Sequence, residues 1–380
     1  MGNSCCAQEH PEDRIESLKP RNSVSGVKKL RAATIYGSSV ESMLPNQLLP
    51  SLNEYPALKN TFTVENELEY LSGLPRLPLR VEAALRRVGK MPADLLLEKE
   101  FSQYPTFGPC RLKDDSVYLG QFKDGKRHGM GVEVNKDGEV YTGYFRDDVK
   151  GPKGRFFSTN GDCITGEVHD GKIEGYAEEL IDFCQPGDSI YDYIDSLSHA
   201  TNTTTSRDVL FAADICPTTA KGIERKGIFI DGLLAGQGTE KNYSEGYTYS
   251  GQFVRGKWEG KGTLLWKDGT TYSGEFLNGQ PHGQGTKAWF DSRSYSGSWR
   301  SGKMEGFGVF AWGDGKRYVG MYVEDKKQGF GEFYYPDGSV YRGNWVEGKQ
   351  EGFGTLIDKH GKKYTGKWRS GEFIEAEGQN

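Results

Sequence analysis

Tyr249-Ser250-Gly251-Gln252-Phe253 is followed 23 residues later by Tyr272-Ser273-Gly274-Glu275-Phe276, and after another 23 by Tyr295-Ser296-Gly297-Ser298-Trp299. The frame continues through Tyr318-Val319-Gly320-Met321-Tyr322, Tyr341-Arg342-Gly343-Asn344-Trp345 and Tyr364-Thr365-Gly366-Lys367-Trp368. After the second ring of a unit comes a Gly-x-Gly pair: Gly260/Gly262, Gly283/Gly285, Gly306/Gly308, Gly329/Gly331 and Gly352/Gly354. Such equal spacing marks an internal repeat, which fixes the architecture before any single residue is weighed.

In Tyr-x-Gly-x-Phe/Trp the ring, glycine and ring stand at i, i+2 and i+4, which is one face of a β-strand. The Gly-x-Gly pair puts two glycines on one face of the next strand, and the missing side chains are expected to leave slots for rings of the neighbouring unit. Gly256, Gly279, Gly302 and Gly348 are placed for a tight turn inside the unit. Asp-Gly pairs at 137–138, 268–269, 314–315 and 337–338 mark the turn into the next unit. Each unit is thus a β-hairpin that cannot bury its ringed face alone, and stacking buries it. At ~4.8 Å per strand, about ten units predict an elongated, twisted all-β ribbon advancing roughly 10 Å per repeat.

Outward from this block the pattern thins. Tyr118 and Tyr141 keep the spacing, Ile164 takes the next slot, and a unit near 225 has Arg225 or Lys226 where the tyrosine belongs. Residues 180–224 lack the period and read as an insertion. Weak helix candidates occupy Val64–Leu71, Val81–Val88 and a stretch opening at Pro92. They predict a partly helical cap that packs on the first repeat and closes the open sheet edge. Residues 1–45 are polar and aperiodic, as in a disordered arm. The expected division is therefore 1–45 arm, 46–117 cap region, 118–179 first repeat block, 180–224 insertion and 225–380 second repeat block.

Tyr-x-Gly-x-Phe/Trp-x-x-Gly-Lys-x-x-Gly-x-Gly at a period of 23 resembles the MORN repeat (membrane occupation and recognition nexus). The resemblance implies an array of stacked antiparallel hairpins. It also implies a role in organising membrane-associated or cytoskeletal structures, with protein partners and, for some members, phosphoinositides. By the same reading Tyr249, Gly251, Tyr272, Gly274, Tyr295, Gly297, Tyr318, Gly320, Tyr341 and Gly343 hold the array together and carry no chemistry. His128 and His282, just before their Gly-x-Gly pairs, read as repeat letters.

The chain opens Met1-Gly2-Asn3-Ser4-Cys5-Cys6. Removal of Met1 exposes Gly2 as an acceptor for N-myristate, although Cys6 stands where Ser or Thr is preferred. One myristoyl chain binds a membrane only marginally, so a stable anchor needs a second acyl group, for which Cys5 and Cys6 are the natural palmitate acceptors. Lys19, Arg21, Lys28, Lys29 and Arg31 follow without an intervening acid and add attraction to an anionic leaflet. Glu9, Glu12, Asp13 and Glu16 offset part of it.

Composition limits what else the chain does. Its 48 basic and 53 acidic residues give a net charge of −5, without the basic excess of a nucleic-acid binder. No apolar stretch reaches the ~18–20 residues of a membrane span. The six cysteines show no CxxC or metal spacing, which fits a reducing compartment. No P-loop, kinase signature, GxSxG or HExxH occurs, so neither an enzyme nor a cofactor or metal is expected. From 225 to 380 there are 22 basic and 19 acidic residues, a balance that favours protein partners over an electrostatic lipid-binding face. The expectation is a non-enzymatic scaffold, lipid-anchored and not transmembrane, at the cytoplasmic face of the plasma membrane. It presents its repeats to protein partners, with self-association as a homodimer a further expectation. The alternative is a direct phospholipid-binding module that regulates a lipid kinase or trafficking machinery.

Overall fold

A computed structural model describes residues 77–88, 104–181 and 222–376, which fall into two units divided after Gly246. The first begins with helix α1 (Leu79–Val88) and strand β1 (Thr106–Arg111). Four hairpins follow: β2 (Val117–Lys123) with β3 (Lys126–Val134), β4 (Val140–Arg146) with β5 (Val149–Phe157), β6 (Cys163–His169) with β7 (Lys172–Ile181), and β8 (Ile223–Ile230) with β9 (Leu233–Asn242). The second unit holds six more. These are β10 (Tyr247–Val254) with β11 (Lys257–Trp266), β12 (Thr271–Leu277) with β13 (Gln280–Ala288) and β14 (Ser294–Arg300) with β15 (Lys303–Ala311). Then come β16 (Arg317–Val323) with β17 (Lys326–Tyr334), β18 (Val340–Val346) with β19 (Lys349–Ile357), and β20 (Lys363–Arg369) with β21 (Glu372–Ala376). Within each unit every strand pairs antiparallel with the next, as the repeat requires.

The two kinds of turn alternate. Inside a hairpin, Arg255 and Gly256 take φ of 51° and 75°, Asn278 and Gly279 take 51° and 81°, and Glu324 and Asp325 take 48° and 69°. Two positive φ values in a two-residue loop match the right-handed twist of the flanking strands. Between hairpins, the Gly269 N–H donates to the Trp266 carbonyl at 3.0 Å, and the Trp266 N–H to the Thr270 carbonyl at 2.9 Å. Here Gly269 alone is left-handed (φ 92°), while the Asp268 carboxylate accepts the Thr270 N–H at 2.7 Å. The Asp-Gly pairs thus close a three-residue loop.

The ring packing differs from the sequence expectation. The slot over Gly251 and Gly262, which face each other in register, is filled by Tyr249 of the same hairpin. The Tyr249 hydroxyl donates to the Gln252 carbonyl at 3.0 Å, and Tyr272 and Tyr295 donate likewise to Glu275 and Ser298. A tyrosine at i can lie flat along its own strand only if i+2 has no side chain, so slot and ring belong to one unit. The neighbour contributes its second ring instead. Phe276 meets Tyr249 edge-on at 5.0 Å, Trp299 meets Tyr272 at 5.3 Å, Trp345 meets Tyr318 at 5.2 Å and Trp368 meets Tyr341 at 4.9 Å. Edge-to-face pairs add about 0.5–1.5 kcal/mol each beyond the area they bury. Tyr249, Tyr272, Tyr295, Tyr318 and Tyr341 are fully buried, whereas Tyr364 of the last hairpin is exposed.

The two glycines of a pair also divide the work. Pairing runs Gly251 with Gly262 and then Gln252 with Glu259, so Gly260 and Lys261 form a bulge. Gly260 stands at φ 59° in that bulge, and only Gly262 lies beneath the ring.

At the weak unit near 225, Arg225 occupies the tyrosine position opposite Glu240 and Glu179. Its guanidinium reaches Glu240 at 2.8 Å and Glu179 at 3.3 Å, and both carboxylates are buried. An ionic triad replaces the ring. The ladder is also unbroken across the insertion: β7 and β8 pair from Gly175–Phe229 to Ile181–Ile223, so residues 182–221 leave and re-enter between adjacent strands.

A strand and a helix from the expected cap region divide the work of edge and cap. The free edge of β2 is taken by β1, with Thr106 opposite Gln121 and Arg111 opposite Val117. Helix α1 lies over a face. Leu77, Val81, Ala84 and Leu85 form one buried cluster with Leu119, Met130, Val132, Val140, Tyr144 and Phe157. All these strand residues point away from the tyrosine side, because they alternate with Tyr118, Tyr141 and Phe156.

Candidate interaction surface

The residue between the two glycines of each pair points outward, opposite the tyrosine face. In the second unit that position reads Lys261, Gln284, Phe307, Phe330 and Phe353. The phenylalanines are 57%, 62% and 55% exposed. Register places Phe307 beside Met321, Phe330 beside Asn344 and Phe353 beside Lys367, so the three rings stand on one face at two-strand intervals. That interval is about 9.6 Å. Met321, Val323 and Val346 on the same face are exposed as well. Across the earlier hairpins no ring stands between the glycines, and the outward face carries the hydroxyl pairs Thr263 with Ser273 at 3.4 Å and Thr286 with Ser296 at 3.0 Å beside exposed Val254, Leu265 and Leu277. A cluster of exposed rings and aliphatic side chains on one sheet face marks an interaction site.

The tyrosine face carries cations held by rings. The Lys287 ammonium lies 5.2 Å from the Trp266 ring and 4.8 Å from that of Trp289, and Lys287 is buried. Lys327 stands 4.9 Å from Trp345, 5.0 Å from Phe333 and 5.2 Å from Trp312. Cation–π attraction holds these ammonium groups against the rings. Burial pushes the phenols of Tyr118, Tyr141 and Tyr322 well above their ordinary range, which keeps them protonated.

The repeat residues Tyr249, Gly251, Tyr272, Gly274, Tyr295, Gly297, Tyr318, Gly320, Tyr341 and Gly343 come together as packing, with each hydroxyl committed to a backbone carbonyl. His128 is buried, 3.3 Å from Asp147 and edge-on to Tyr104. Gly2, Cys5 and Cys6 lie outside the described residues, as do Lys19, Arg21, Lys28, Lys29 and Arg31. Among the described residues no group of His, Cys, Asp or Glu suits a metal ion, and no helix is long and apolar enough to cross a membrane. The phenylalanine row was not singled out from sequence. Its signal is plain in retrospect: one letter of the repeat changes from Lys and Gln to Phe and then holds at a period of 23.

Ring, glycine slot, neighbour's ring and alternating turns define a tandem hairpin-repeat protein. Six of its segments match the MORN repeat family: 118–140, 249–271, 272–292, 295–317, 318–340 and 341–361. The hairpins opening at 140, 163, 223 and 363 share the architecture but lie outside those matches. Curated proteins give no match to the chain. Among solved structures, the TCP10 domain of Danio rerio CPAP is 13% identical, covering 63% of this chain and 89% of that one at a TM-score of 0.28. The TCP domain of Drosophila melanogaster SAS-4, in complex with a proline-rich motif of Ana2, is 12% identical over 34% and 77% at a TM-score of 0.22. At these scores neither bears on the function of this chain.

Proposed function

We propose that the protein is a non-enzymatic scaffold, held at the cytoplasmic face of the plasma membrane by acyl chains on Gly2, Cys5 and Cys6, whose repeats bind protein partners. The outward row Phe307, Phe330 and Phe353 carries the protein-binding part of this reading. Exposed aromatic rings on a rigid sheet are typical anchors of protein interfaces. On the opposite face Lys287 and Lys327 lie against aromatic rings, which makes that face a less open site for phospholipid headgroups than free surface lysines would. The anchoring part rests on the Met1–Cys6 sequence and the two-chain requirement for stable attachment.

The test is membrane fractionation of the full chain, tagged at its C-terminus, beside Gly2→Ala and Cys5→Ser/Cys6→Ser variants. Loss of membrane association in both variants is the expected result. Association that persists in both, with salt-sensitive binding of the purified non-acylated chain to phosphatidylserine vesicles, moves the function to phospholipid recognition.

A further inference from the structure

The two units use the same lattice positions on their outward faces and differ in what covers them. Met130, between Gly129 and Gly131, holds the position of Phe307, Phe330 and Phe353. Tyr144, three residues after Tyr141, holds that of Met321. Met130 and Tyr144 are 5% and 3% exposed because α1 lies across them. The helix brings Val81, Ala84, Leu85 and Val88, an i, i+3, i+4, i+7 stripe, onto strands β2 to β6, and Leu77 joins them from just before its first turn. In the second unit no described segment covers the corresponding apolar face.

We infer that the outward face of the second unit, around Phe307, Phe330 and Phe353, docks an acidic amphipathic helix of a protein partner, laid across the strands as α1 is laid across the first unit. This deepens the scaffold reading and rests on it for the existence of a protein partner. The sheet already accepts a helix in this manner, since an aliphatic stripe meets the residue between paired glycines and the residue three after the tyrosine. Length agrees: three rings at two-strand intervals extend about 19 Å, which a helix of roughly thirteen residues spans. Charge selects the partner. From Ser294 to Glu375 the outward strand positions carry nine basic side chains, of which Arg300, Lys303, Lys326, Arg342 and Lys367 are each paired with a glutamate. Arg317, Lys349, Lys363 and Arg369 lie outside those pairs, at strand ends on the same face, and form its basic rim. An aliphatic stripe flanked by Glu or Asp satisfies both the rings and this rim, as in helix-in-groove recognition.

The experiment places a benzophenone amino acid at position 330 of the full chain in cells, and for comparison at 273 on the hydroxylated face and at 312 on the tyrosine face. After irradiation the cross-linked peptides are sequenced. The expected result is a cross-link specific to 330, landing in an acidic segment with apolar residues at i, i+4 and i+7. That segment, made as a synthetic peptide, gains helicity on binding the purified full chain. Phe330→Ser weakens the binding about tenfold or more while leaving the far-ultraviolet spectrum and melting curve of the chain unchanged. Cross-links from 330 to lipid, to a second copy of this chain or to a segment without that stripe overturn the inference. Protein cross-links from 312 alone also overturn it and leave the scaffold reading standing. Absence of protein cross-links at all three positions overturns both.

Discussion

Tyr249 occupies the space that a side chain on Gly262 would need: a Cβ added there would stand 2.5 Å from the tyrosine hydroxyl. Ring and glycine lie on paired strands of one hairpin, and the hydroxyl is tethered to the Gln252 carbonyl. Each repeat therefore fills its ring slot with its own tyrosine and not with a neighbour's ring.

Gly262→Ala follows directly from that contact. Backbone conformation at 262 is ordinary, so the cost is overpacking, about 1–3 kcal/mol. Gly269→Ala meets open space but keeps a residue at φ 92°, and its cost is strain alone, roughly 1 kcal/mol. Urea midpoints of the full-length variants compare the two. Adding Tyr249→Phe to Gly262→Ala should not restore the midpoint, because the ring carbons crowd the Cβ as closely as the hydroxyl does.

Trp299 joins two repeats. Its ring is edge-on to Tyr272 at 5.3 Å and to Tyr295 at 5.2 Å, and its indole N–H donates to the Gly285 carbonyl at 3.1 Å. Trp299→Ala should cost about 3–5 kcal/mol. In a linear array such damage stays local. Hydrogen exchange should show lost protection in β13 and β15 and little change in β20. Uniform loss along the second unit would show that its hairpins unfold as one block.

The ionic triad sets a pH dependence. Burial raises the Glu179 carboxyl above its ordinary value, and the Arg225 guanidinium only partly opposes this. A carboxyl raised by folding keeps its proton in the native state after the unfolded chain has lost it. Its contribution to stability is then complete below the unfolded value, near 4.5, and is lost as pH rises through the raised value. Glu179→Gln cannot titrate. Its urea midpoint should fall less than the wild type's between pH 4.5 and neutrality. Equal slopes would show that Glu179 is fully ionised beside Arg225 across that range.

Cys110 is buried, and burial pushes its thiol up to about 11. The thiolate is the reactive form. Iodoacetamide at pH 8 should leave Cys110 unmodified in the native chain and label it after urea unfolding, as read by peptide mapping. Rapid labelling of the native protein would place β1 in exchange with an open edge.

The period of 23 made the hairpins, the strand faces and the within-unit turns at Gly256, Gly279 and Gly302 legible, because each depends on residues a few positions apart. Letter matching failed where a different chemistry keeps the same geometry. At Arg225 a charge paired with Glu240 and Glu179 fills the tyrosine position, and nothing local announces that pairing, since Glu179 lies 46 residues away. The helix candidate Val81–Val88 falls within α1, but its amphipathic pattern did not say which surface it would cover. The candidates at Val64–Leu71 and from Pro92 lie outside the described residues.

By itself the sequence determined an all-β tandem array, its repeat length and the residues that build each slot, because ring, glycine and turn act within a single hairpin. Only the tertiary structure decided that each tyrosine fills its own slot while the next repeat supplies the edge-on ring. It also decided that β1 takes the open edge and α1 covers an outward face. That coverage is what distinguishes Met130 from Phe330. The two occupy the same repeat position, and whether such a side chain is core or surface depends on a segment distant in sequence docking over it.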